Sequence, residues 1–134
     1  MPETQAIPDT TSRRVLVVED EDNIALALQY VIQREGHEFH RIADGAAAEA
    51  AIRDLKPDLI LLDIMLPQVS GYDICRSVRA DPELAATRIL MMTARGSAVQ
   101  RDRALSVGAD GLFSKPFGLD DLREKMRAQL SAPR

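Results

Sequence analysis

Three short runs, Val15-Leu16-Val17-Val18, Leu59-Ile60-Leu61-Leu62 and Ile89-Leu90-Met91-Met92, are apolar at every position and end in polar residues. A strand with one wet face alternates, whereas a run apolar throughout is expected of a parallel strand covered on both faces. Between the runs the spacing becomes helical. Ile24, Leu28, Val31 and Ile32 share one face of a helix over 23–35, with Asp22 as the predicted N-cap and Gly36 as the stop. A weaker strand follows at 38–43, then an alanine-rich helix over about 46–54 that halts before Pro57. Further helices are predicted over 70–79, closed by Asp81-Pro82, and over 98–107, closed by Gly108. Gly111-Leu112-Phe113-Ser114 reads as a last strand, and 119–130 as a last amphipathic helix with Leu119, Leu122, Met126 and Leu130 on its apolar face.

Five strands alternating with five helices predict an α/β fold, a parallel sheet with helices on both sides. At 134 residues the chain fits one domain. Residues 1–12 are polar and proline-containing and read as a flexible tail, leaving 13–131 as the domain. That N-terminus has neither a basic start nor an apolar core, so nothing points to secretion, and a cytoplasmic location is the default. The apolar runs fall well short of the ~20 residues a spanning helix needs, so no membrane partner is expected. A net charge of −4 leaves no basic footprint for direct nucleic-acid binding. The single Cys75 excludes an intramolecular disulfide.

In such sheets ligands bind at the carboxyl ends of the strands. Those ends carry Glu19 and Asp20, then Asp63, Thr93 and Lys115: three acids, a hydroxyl and an ammonium directed at one crevice. Two carboxylates ~4 Å apart repel by about 4 kcal/mol at an effective dielectric near 20. Lys115 offsets one charge. A divalent cation is the natural remaining partner, and an all-oxygen donor set with no soft ligand suits Mg²⁺ rather than zinc. An ionised Asp63 can attack phosphorus without a general base, with Lys115 and Thr93 placed to bind phosphoryl oxygens.

At these residues the sequence resembles the receiver domain of two-component response regulators, of the CheY-like superfamily. The motifs VVEDE, LLDIMLPQVSG, MMTAR, GAD and SKPF stand in order over about residues 13–130. The resemblance implies a flavodoxin-like (βα)5 three-layer sandwich with strand order 2-1-3-4-5. It implies a signalling phosphoacceptor rather than a conventional enzyme, one that catalyses its own phosphorylation and slow dephosphorylation. Asp63 would take a phosphoryl group from the phosphohistidine of a sensor histidine kinase or phosphotransfer protein. Asp20 and Asp63 would bind Mg²⁺ directly, Glu19 through water, and Met65 by its backbone carbonyl. Thr93 would be the switch hydroxyl and Lys115 the phosphate-binding lysine, with Lys115-Pro116 in cis, and the small Ala94 would leave room for phosphate.

Two departures matter. Where many receivers carry a swinging aromatic, three positions before the lysine, this chain has Leu112, and Phe113 beside it should face the other way. Met65 and Arg95 flank the expected approach of water, and neither is a general base, so the phosphoryl group is expected to last minutes or longer. The resemblance also allows a homodimer through the fourth helix, fifth strand and fifth helix, where Arg101, Asp110, Asp121 and Lys125 supply charges and Gly111 replaces a frequent acid. The output partner is then a downstream protein or an effector domain outside this sequence. Other readings fit less well. A flavin mononucleotide module would not place Glu-Asp-Glu-Asp where phosphate must sit. A haloacid-dehalogenase-like phosphatase would need a second Asp where Met65 stands. His37 and His40 lie away from the crevice and read as surface residues.

Overall fold

The computed structural model describes residues 12–94 and 96–131. The predicted flexible tail falls outside the described residues except for its last position, as does Arg95. The elements are β1 (Arg14–Val18), α1 (Asp22–Arg34), β2 (Glu38–Ile42), α2 (Ala48–Leu55), β3 (Leu59–Asp63), α3 (Gly71–Ala80), β4 (Arg88–Thr93), α4 (Ala98–Ser106), β5 (Gly111–Ser114) and α5 (Leu119–Ser131). The five strands form one parallel sheet in the order β2-β1-β3-β4-β5. This is the flavodoxin-like (βα)5 arrangement. The chain leaves β1 to one side for β2 and returns to the other for β3, so the switch of direction falls between β1 and β3.

Each unbroken apolar run divides between two cores because successive side chains point to opposite faces. Leu16, Val18, Ile60, Leu62, Ile89 and Met91 pack with residues of α2, α3 and α4, among them Ile52, Ile74 and Ala104. Val15, Val17, Leu59, Leu61, Leu90 and Met92 pack with Leu28 and Ile32 of α1 and with Leu122 and Met126 of α5. Burying a side chain of this size contributes roughly 1.5–3 kcal/mol, and both faces of the central strands do so. No helix among the described residues is long and apolar enough to cross a membrane.

The helix ends differ from expectation in three places. Asp22 is the first residue of α1 rather than its cap; Glu21 holds the cap position and its side chain makes no capping bond. Arg41 draws the Asp22 carboxylate away from the helix end at 2.8 Å. The alanine-rich helix starts at Ala48 because Asp44 closes a single 3-10 turn, Gly45–Ala47, by accepting from the Ala46 N–H. Leu119 is exposed at the start of α5, so the apolar face of that helix is Leu122, Met126 and the half-buried Leu130. Gly36 stops α1 as predicted, at φ +84°.

Charge ties α1 to α5: Arg127 grips Glu35 through two bonds, 2.6 and 3.0 Å. That guanidinium holds the Glu35 carboxyl below its ordinary range, against the effect of burial. His37 is not a simple surface residue. Half-buried, it accepts the Arg13 N–H at Nδ1 over 3.1 Å, pinning the entry to β1. Burial holds its imidazole below the ordinary range; Glu35 and Asp58 work against this, and Arg13 reinforces it.

Protonation at Nδ1 would break the Arg13 bond, and a folded-state pKa lowered below about 6.5 means that the unfolded chain binds the proton more readily. The stabilisation is therefore complete above that pH and is lost as pH falls through the lower, folded value. Thermal unfolding followed from about pH 7.5 to about pH 5.5, across the ordinary imidazole range, should show a smaller decline in midpoint for His37→Asn than for the wild type. Equal declines would show that His37 does not carry this dependence.

Candidate functional site

The buried strands deliver their polar termini to one rim. Asp63 is the last residue of β3 and is buried with the four apolar residues before it. Glu19 follows β1, fully buried, and Asp20 beside it is exposed. Thr93 closes β4, and Lys115 follows β5, joined to Pro116 by a cis peptide bond as expected. Beyond Asp63 the chain turns sharply: Ile64 N–H donates to Met92 O, Gly71 N–H donates to Ile64 O, and Gln68 adopts φ +74°. This loop leaves Met65 largely exposed at the mouth, while its N–H donates to Asp63 Oδ1 at 3.0 Å.

Lys115 bridges the acids. Its Nζ lies 2.8 Å from Glu19 Oε1 and 3.1 Å from Asp63 Oδ2. Burial lowers the affinity of that ammonium for its proton, but Glu19 and Asp63 together outweigh it, and the pKa is raised. Burial pushes the Glu19 carboxyl up, opposed by Lys115 and by the Glu21 N–H, which donates to Oε2 at 3.0 Å.

The donor set fits a hard divalent cation. Carboxylate oxygens of Glu19, Asp20 and Asp63 lie within 4.8 Å of one another. Glu19 Oε1, although buried, receives no aligned hydrogen bond; Lys115 reaches it as an ion pair without hydrogen-bond geometry. A buried acceptor with spare capacity next to two further carboxylates favours a cation or its bound water. Three formal negative charges against one ammonium leave an excess that Mg²⁺ would neutralise.

Of the residues predicted for this crevice, Glu19, Asp20, Asp63 and Lys115 come together, with Met65 at its edge. Thr93 sits at the neighbouring strand end, where its hydroxyl donates to Gln100 Oε1 of α4 at 2.9 Å. Ala94 is exposed at the mouth. Leu112 and Phe113 do face opposite ways: Leu112 lies in the core under α3 and α4, Phe113 in the other, edge-on to Phe117 at 5.4 Å. Asp110 is turned inward, bonded at 2.8 Å to both Arg79 and the Ile89 N–H, so it offers little charge to an interface. Asp121 and Lys125 face each other along α5 at 3.7 Å. Two contacts were not foreseen, Gln100 with Thr93 and Arg41 with the β1–α1 loop. A lone glutamine on a polar helix carries no signal in sequence; a lone arginine in the one mixed-polarity strand beside β1 carries a weak one.

Comparison with known proteins places these residues in context. Residues 15–127 match the family model described as the response regulator receiver domain. Over 117 residues the chain is 41% identical to the phosphate regulon transcriptional regulatory protein PhoB of Rhizobium meliloti (strain 1021), covering 87% of this chain and 52% of that protein. It is 42% identical over 122 residues to the DNA-binding response regulator MtrA of Mycolicibacterium smegmatis, covering 91% and 52% respectively. The chain thus spans about half the length of the curated relatives it matches. Among solved structures, the chemotaxis response regulator CheY4 of Vibrio cholerae is 30% identical, with a TM-score of 0.84, covering 90% of this chain and 100% of that one.

A steric constraint set by backbone atoms lies beneath Asp63. A Cβ on Gly71 would run into Asp63 O and stand 2.8 Å from Ile64 Cα, both of them backbone atoms that cannot swing aside. Gly71→Ala should therefore cost about 1–3 kcal/mol in urea unfolding, as overpacking does. A loss well under about 1 kcal/mol would show that the β3–α3 loop accommodates the methyl.

Proposed function

The chain belongs to the response regulator receiver domain family, whose members accept a phosphoryl group, and on that premise we propose that Asp63 is the acceptor. The observation that carries this assignment is the buried carboxylate at the end of β3, 3.1 Å from the Lys115 ammonium and clustered with Glu19 and Asp20. Asp20 and Asp63 would hold Mg²⁺ directly, Glu19 through water, and Met65 by its carbonyl. Bound there, Mg²⁺ would supply positive charge against the phosphoryl oxygens.

An Asp63 oxygen forms the O–P bond as the P–N bond of a phosphohistidine breaks. The electron pair leaves with the imidazole nitrogen. Asp63 thereby gives up the charge that held Lys115, and negative charge moves out to the phosphoryl oxygens. The ammonium keeps Glu19 at 2.8 Å and can follow that charge without losing both partners. Two-component partners are implied by the family; the phosphoryl donor proposed here is a sensor histidine kinase or a phosphotransfer protein. Thr93 then exchanges Gln100 for a phosphoryl oxygen, which frees the first turn of α4 and alters the surface of α4, β5 and α5. That surface would engage a downstream protein, an effector domain or a second copy of the chain.

With acetyl phosphate and Mg²⁺, intact-mass measurement should find one phosphoryl group per chain, absent from Asp63→Asn and persisting for minutes or longer after the donor is removed. Continuous hydrolysis of a generic phosphate ester would instead favour the phosphatase reading.

The proposed readout is tested separately. Amide hydrogen exchange over residues 98–106 should change on labelling in the wild type and stay unchanged in labelled Thr93→Ala. The same change in both would mean that the hydroxyl does not transmit the signal.

A further inference from the structure

Asp20, the most exposed member of the acidic cluster, makes no hydrogen bond or ion pair among the described residues. Its position is therefore set by its backbone. The peptide unit that joins it to Glu19 is held from the edge strand. Arg41 of β2 donates from Nε and Nη2 to Glu19 O, at 3.1 and 2.9 Å, and from Nη1 to Asp22 Oδ1 at 2.8 Å. On the other side of the same residue, Glu19 N–H donates to Ile42 O at 3.1 Å. Glu19 is thus gripped through both its backbone groups by two successive residues of β2.

The rest of the loop cannot supply this hold. The Glu21 side chain at the cap position of α1 makes no capping bond, and Glu21 N–H is given to Glu19 Oε2. Four consecutive acids, Glu19 to Asp22, repel one another and favour an opened loop. Lys115 meets this chiefly at Glu19, and Arg41 meets it at Asp22. A guanidinium suits the task because its planar fork fixes direction as well as charge; a lysine ammonium would satisfy one acceptor at a time.

We propose that Arg41 is a positioning residue for the cation site: by clamping the Glu19 carbonyl and Asp22 it holds the Asp20 carboxylate within reach of Asp63 before any metal arrives. The inference rests on the reading of Glu19, Asp20 and Asp63 as the Mg²⁺ site. It makes a prediction opposite in sign to that of simple charge. If Arg41 acted only as a nearby positive charge, removing it would tighten binding of a divalent cation. If it positions the loop, removing it weakens binding, because the acids must then be ordered at the moment of binding.

The experiment is calorimetric titration of MgCl₂ into the unphosphorylated wild type, Arg41→Lys, Arg41→Gln and Asp63→Asn, with thermal unfolding of each variant in the absence of Mg²⁺. Wild-type binding that Asp63→Asn abolishes is the result expected of the site itself, and no binding by the wild type would overturn that reading and this inference with it. Given wild-type binding, Arg41→Gln and Arg41→Lys should both weaken it, by about tenfold for Gln, the low end of what losing an outer support costs a metal site. Unchanged affinity in Arg41→Lys with tighter binding in Arg41→Gln would overturn the inference in favour of simple charge. Lower metal-free unfolding midpoints with unchanged Mg²⁺ affinity would overturn it in favour of an edge-strand brace.

Discussion

An ammonium wedged between two buried carboxylates is the interaction on which this site depends. At separations near 3 Å and an effective dielectric near 20, each Lys115–carboxylate attraction is about 5 kcal/mol before solvation is counted. Removing each ion from water costs several kcal/mol in return. The arrangement is therefore close to balanced rather than strongly stabilising, and this suits a site whose charge must change. With Glu19 and Asp63 sharing one lysine and Asp20 beside them, the cluster is left short of positive charge. A dication would restore the balance; a phosphoryl group on Asp63 would add negative charge to the cluster, so it would lean on both that dication and the lysine.

The sheet makes that near-balance possible. Four apolar residues of β3, buried on both faces, fix where Asp63 emerges, and Gly71 lets the chain double back against the Asp63 and Ile64 backbone. Those contacts come from hydrophobic burial, which does not respond to charge. The strands do not have to move when the charge at the rim does, so a change at Asp63 can be taken up by Lys115, Thr93, the loops above the strands and the weakly packed α4.

Much of this was legible in the sequence, for a physical reason. A doubly covered strand must be apolar throughout, so its first polar residue marks the strand end, and in a parallel sheet those ends gather where ligands bind. Glu19, Asp63 and Thr93 could be read that way, and Lys115 follows Ser114, the first polar residue of β5. What escaped was set by tertiary competition. Asp22 looks like an N-cap, but Arg41, distant in sequence, claims its carboxylate. Leu119 completes a helical stripe on paper, yet it lies at the start of α5 and is left exposed. Asp110 looks like a surface charge near a docking face and is spent inside on Arg79 and the Ile89 N–H. Each misreading concerns which of several available partners a polar group chooses, or how far a core extends. Neither is encoded in local spacing.

The route by which the site could be read out follows from the same alternation that built the core. An aromatic placed at 112 would lie on the α3 and α4 side, close to the Thr93 end of β4; this chain puts leucine there and its aromatic at 113, on the opposite face, locked edge-on to Phe117. Leucine fills the space without presenting a polar tip or a flat ring that would mark two distinct positions. The Thr93–Gln100 bond does join the strand end directly to α4, and it is one that the Thr93 hydroxyl must give up in order to donate elsewhere. α4 is mostly polar and exposed, burying Ala104 and laying Arg103 over the Tyr72 ring of α3 at 4.2 Å, so few contacts oppose a shift once that bond is lost. In this chain, then, the weakly anchored helix rather than a ring in the neighbouring strand is the element best placed to hold two alternative positions.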